Sequence, residues 1–90
     1  MNKSTTNIHI ECKQKTLDYI DENNLESAEN LIDSLFTELP LDRDVLYFMM
    51  YIAVKQGKNE KAIIISQIAK VFYEDDEDIL QMVEVINNLK

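Results

Sequence analysis

His9 and Cys12 stand three positions apart on what reads as the first helix, a spacing at which an imidazole can serve as base to a thiol. No third group is placed to orient the imidazole, and both residues lie near a helix start that is expected to fray. Cys12 therefore reads as a small buried hydrophobe and His9 as a surface residue. The run Glu74-Asp75-Asp76-Glu77-Asp78 offers the oxygen ligands that calcium takes. A calcium loop also needs alternating ligands, a central Gly and a distal Glu, and here the Gly is absent. The run reads instead as negative charge at the positive end of a helix dipole. One His and one Cys do not make a zinc site. Gly57 is the only glycine, so no glycine-rich phosphate loop exists. The expectation is a non-enzymatic protein with no catalytic residue, no cofactor and no metal. Lys55, Lys58 and Lys61 flank one turn, where they either meet the acidic end of a partner or form a solvated turn.

The bulk composition bounds the class of protein. Ninety residues make one domain. A chain of that size buries only about 60–65% of its unfolded surface. Hydrophobic residues at 46% and charged residues at 29% describe a globular chain rather than a disordered one. A net charge of -8 disfavours nucleic acid and anionic membranes, which need clustered Lys and Arg. Cys12 has no second cysteine to pair with. Residues 1–7 are polar and read as a frayed lead-in without an apolar signal core. No run approaches the roughly 20 apolar residues of a membrane span. A cytosolic protein without membrane insertion is expected.

Five helices follow from the apolar spacing. The first runs from about Ile8 to Glu22, with Ile10, Leu17 and Ile20 at helical intervals, and Asn23-Asn24 end it. The second covers about Leu25 to Leu39, carries Ala28, Leu31, Ile32, Leu35 and Phe36, and stops at Pro40. Asp42 caps a third that reaches Gln56, with Gly57 just past its end. Asn59 is expected to cap the fourth, about Glu60 to Tyr73. The acidic run opens the fifth, which carries Ile79, Leu80, Met82, Val83, Val85, Ile86 and Leu89.

These helices repeat. Glu26-Ser27-Ala28 is echoed 34 positions later by Glu60-Lys61-Ala62, each alanine just after an inter-helix turn. A period of this length marks stacked helix–turn–helix units, whose inner surfaces bind other polypeptides. The spacing resembles the tetratricopeptide repeat. Tyr19, Ala28 and Pro40 match its aromatic, small and terminal Pro positions in a first unit at about 9–42, with Asn23 standing for the turn Gly. Gly57, Ala62 and Ala69 match in a second unit at about 43–76. Cys12, Met50 and Glu74 depart from the pattern. The final helix, about 76–90, opens an unfinished third unit. The implied fold is all-α, with five antiparallel helices stacked as about two and a half units around a concave apolar groove.

The third helix needs cover. Val45 to Val54 is ten apolar residues without a break, which calls for burial on every side. In the repeat frame Leu46, Met49, Met50 and Ala53 face the second and fourth helices. Tyr47, Tyr51 and Val54 fall on the inner side, with Ile10, Leu17 and Ile20 of the first helix and Val85 of the fifth. The tyrosines are either core residues of a small bundle or the lining of a groove. Two arguments favour the groove: ninety residues are few to cover the third helix, and two and a half repeats fall short of the about three that are stable alone. An amphipathic helix is the simplest partner. Some tetratricopeptide adaptors clamp a terminal carboxylate. Lys13 fits one such position, but Leu17 and Tyr51 occupy positions that need Asn, so the groove is expected to be apolar, and Lys55 from the turn is counted among the partner-binding residues.

The segments Ser27-Ala28-Glu29-Asn30-Leu31-Ile32, Tyr47 to Gly57 and Glu60-Lys61-Ala62 resemble the central repeats of needle-subunit chaperones of bacterial type III secretion systems. The resemblance spans about residues 20–90 and lies in pattern more than identity. It implies a bacterial cytosolic chaperone that holds the C-terminal amphipathic helix of a self-polymerising needle subunit and keeps the subunit monomeric. It also implies a small helical co-chaperone and a hetero-oligomer. The alternative is a generic tetratricopeptide-like adaptor or assembly factor with another helical partner.

Overall fold

The computed structural model describes the backbone of residues 3–89 and the side chains of residues 7–89. Five helices follow in order: α1 (Lys3–Asp21), α2 (Leu25–Glu38), α3 (Arg43–Gln56), α4 (Asn59–Phe72) and α5 (Glu77–Asn87). Helix α1 starts five residues before the expected Ile8, because neither Gly nor Pro interrupts the chain there. Of the expected lead-in over residues 1–7, Met1 and Asn2 lie outside the described residues.

Each helix packs on the next, so neighbours are antiparallel, and α3 also touches α1 and α5. The backbones of α2 and α4 stay apart among the described residues, and the two helices meet through side chains, Lys61 of α4 donating to Glu29 and Asp33 of α2. The result is two layers: α1, α3 and α5 side by side, with α2 and α4 behind them. Helix α3 therefore contacts all four others, which is how a short chain covers its ten-residue apolar run. Val45, Leu46, Met49, Met50, Ile52 and Ala53 are buried, and only Tyr47, Phe48, Tyr51 and Val54 stay half-open. Each buried Ile, Leu or Met side chain contributes about 1.5–3 kcal/mol relative to exposure.

The 34-residue echo extends to backbone geometry. Asn23 and Gly57 both adopt left-handed φ, 58° and 73°, each in the turn between paired helices. Asn24 and Lys58 then occupy the N-cap positions of α2 and α4. The amide of Ala28 donates to the Asn24 carbonyl, and the amide of Ala62 to the Lys58 carbonyl. Both alanines are fully buried. Asp42 and Asp76 repeat the relation at the starts of α3 and α5, each accepting amide bonds from the first turn of its helix.

Three local expectations change. The cap of α4 is Lys58, not Asn59, and it provides no side-chain bond, because a lysine has no acceptor. Only part of the acidic run is helical: Glu74 and Asp75 form the turn, Asp76 caps, and α5 begins at Glu77. The echo also fades on the outer face of α5. Glu84 and Asn87, both exposed, stand where Met50 and Ala53 are buried in α3. That end of the stack is largely polar, with Leu80 partly open beside it.

Candidate partner-binding surface

Helices α1 and α3 run alongside each other, and their side chains leave a furrow. At one end Leu17, Ile20 and Asp21 from α1 and Tyr47, Phe48 and Tyr51 from α3 line a depression of about 240 Å³. At the other end Ile10, Lys13, Gln14, Leu17, Asp44 and Phe48 line one of about 350 Å³. Leu17 and Phe48 belong to both, so the two are continuous. Two stripes of α1 differ in burial. Thr16 and Cys12 face the core, while Leu17 and Ile10 lie on the next face, 39% and 57% exposed.

The aromatic side chains on α3 are held by their neighbours. The Tyr47 and Phe48 rings meet edge-on, 6.3 Å between centroids at 66°. The Arg43 guanidinium lies 5.5 Å from the Tyr47 ring centre, and Lys55 Nζ lies 5.6 Å from that of Tyr51. Each tyrosine thus carries a cation four residues away on its own helix, which sets positive charge beside its ring.

The N-terminal end of the furrow is bound by an ion-pair chain across α1, α3 and α5. Lys13 Nζ donates to Asp42 and Asp44 at 3.1 Å each. Arg43 donates to Asp76 at 2.8 Å and 3.2 Å, to Asp44 at 3.1 Å and to Asp78 at 3.0 Å. The Arg43 pair with Asp76 raises the guanidinium pKa above its ordinary value. Arg43, aided by the Ile79 amide, holds the Asp76 carboxyl down to about 2. Burial opposes the charges on Lys13 and Asp44, but hydrogen bonds outweigh it: those to Asp42 and then Asp44 raise the Lys13 pKa, and those from Lys13 and then Arg43 lower that of Asp44.

The expected site residues divide. Ile10, Leu17, Ile20, Tyr47 and Tyr51 come together in the furrow. Lys55 adjoins it over Tyr51. Val54 lines neither depression, although like Ile20, Tyr47 and Tyr51 it packs against the core. Val85, 48% exposed on α5, lines neither depression. Phe48, Asp21 and Asp44 also line the furrow and were not singled out from the sequence. Phe48 was hidden inside a run that is apolar throughout. The acids gave no signal because charge on a helix is ordinarily a solvated face.

The other chemical candidates resolve into structure. His9 Nε2 lies 3.0 Å from Glu38 Oε1, so it turns to α2 rather than to Cys12, which is half-buried against the core. Lys58 and Lys61 both donate to Glu29 at 2.8 Å, and Lys61 also donates to Asp33 at 2.9 Å. Lys58 first, then Lys61, holds the Glu29 carboxyl at about 2. No three His, Cys, Asp or Glu side chains converge as a metal site requires among the described residues. Among those residues no helix is long and apolar enough to cross a membrane.

A second apolar stripe lies on the opposite face. Ile64, Val71 and Phe72 on α4 are 58%, 69% and 55% exposed. Their counterparts 34 positions earlier on α2 are Asn30, Thr37 and Glu38, all polar.

No protein-family model, curated protein or solved structure matches this chain.

Proposed function

We propose that this protein is a non-catalytic chaperone that holds an amphipathic helix against its α1–α3 face. The observation that carries the proposal is the furrow itself. Five of the residues expected to bind a partner line one half-open, largely apolar strip that includes two tyrosines, each with a cation beside its ring. A helix laid there buries apolar surface on both chains, the common mode by which grooves take helical peptides. Tyrosines supply area together with a hydroxyl that stays wet.

In its specific form, drawn from the sequence resemblance, the ligand is the C-terminal helix of a self-polymerising type III secretion needle subunit in the bacterial cytosol. Occupying that helix removes it from self-assembly by mass action. A small helical co-chaperone completes the hetero-oligomer.

The test is co-purification of tagged full-length protein from cells that express it naturally, beside its Tyr51→Asp variant. A short, helical, self-assembling secreted protein should accompany the parent chain and be lost from the variant, whose helical circular dichroism is retained. Undiminished recovery with Tyr51→Asp refutes the furrow as the site. A different helical partner lost in the same way retains the furrow and replaces the needle subunit with the ligand of an adaptor.

A further inference from the structure

We infer that the furrow selects a basic amphipathic helix lying along α1, with Lys or Arg residues at both ends of its apolar stripe. The inference rests on the proposed binding of a helix and adds the partner's charge and direction. Direction follows from shape, since the two depressions join end to end along the α1–α3 seam and leave out Val85 on α5. A ligand crossing all three inner helices would need that residue.

Charge follows from the balance at each end. At the N-terminal end Lys13 and Arg43 face four carboxylates, Asp42, Asp44, Asp76 and Asp78, which leaves two negative charges over. At the C-terminal end Asp21 lines the depression, and Asp18 and Glu22 stand beside it on the exposed flank of α1. None of these three carboxylates has an ion-pair partner among the described residues. Lys55 adjoins this end and Lys15 lines the same flank as Asp18 and Glu22, which leaves one negative charge over. Lys13 and Asp21 are eight residues apart, so the two acidic ends are about 12 Å apart along the helix. A partner helix aligned with α1 meets both with cations about two turns apart. Like charge at those positions would be repelled, so the same acids exclude acidic helices.

The probe is a pair of synthetic peptides of about 16 residues, one continuous Leu stripe each, with Lys at two positions about two turns apart in one and Glu in the other. Fluorescence anisotropy with full-length protein should show the Lys peptide binding at least about tenfold tighter at low salt, the gap shrinking as salt shortens the Debye length. Asp21→Asn should weaken the Lys peptide several-fold, while Glu60→Gln, on α4, should not. Equal binding of both peptides, or equal loss in the two variants, overturns the charge selection and leaves the apolar furrow standing. Failure of both peptides to bind overturns the furrow reading and the inference with it.

Discussion

Arg43 grips Asp76 with two prongs, Nε to Oδ2 at 2.8 Å and Nη2 to Oδ1 at 3.2 Å, joining the first residue of α3 to the N-cap of α5. Asp76 Oδ1 also accepts the Ile79 amide. One carboxylate thus starts a helix and docks it. Asp76→Asn keeps a good cap but loses the ion pair, and Asp76→Ala loses both. Urea midpoints should fall in the order parent, Asn, Ala. Amide exchange should quicken in α5 well before α1 and α2, since local opening follows local contacts. Identical midpoints for the two variants exclude the dual role.

The paired alanines are set by close packing. Ala28 and Ala62 are fully buried at equivalent points of the two units. Replacing either with Leu forces a side chain into filled space and should cost about 1–3 kcal/mol. Chemical denaturation of each variant measures it. A loss confined to one site would mean that the two units do not pack alike.

The two left-handed turns should be partly interchangeable. A Cβ at Gly57 meets nothing within 4 Å, so the cost of substitution there is backbone strain alone. Gly57→Ala should cost about 1–2 kcal/mol. Gly57→Asn should cost less, because Asn23 already adopts the same conformation. Thermal melts of the two variants decide it, and an Asn variant less stable than the Ala variant contradicts the account.

Glu29 gives an acid limb to stability. Its folded pKa of about 2 lies below the ordinary 4.5, through Lys58 and then Lys61. A depressed pKa means that its contribution is complete above about pH 4.5 and is lost as pH falls toward 2. Glu29→Gln should therefore be less stable than the parent at pH 7, with the difference narrowing between pH 4.5 and 2. Urea midpoints across that range provide the check, and a constant difference rules out the linkage.

Much of the fold was legible along the chain. The spacing of Ala28 and Ala62, the single glycine, and caps such as Asp42 are local signals, and local backbone preferences act wherever the chain goes. They placed five helices and their turns. The same locality explains the error at Lys58: an Asn one residue on looked the better cap, yet the repeat register fixed the cap at 58.

The furrow was half legible. Helical periodicity put Leu17, Tyr47 and Tyr51 on inner faces, because the angle between side chains on one helix is fixed by sequence distance. What periodicity does not carry is which helices lie side by side. Tertiary packing brought Phe48 across to α1, left Val85 out, and set Arg43 against Asp76 and Asp78. Lys58 and Lys61, which read as either a solvated turn or a meeting point for an acidic partner, instead bond Glu29 and Asp33. The sequence by itself determined the helices, their repeat and the apolar stripes. Only the tertiary structure decided which charges remain unpaired, since an ion pair between residues some thirty positions apart depends on distances that no local pattern encodes.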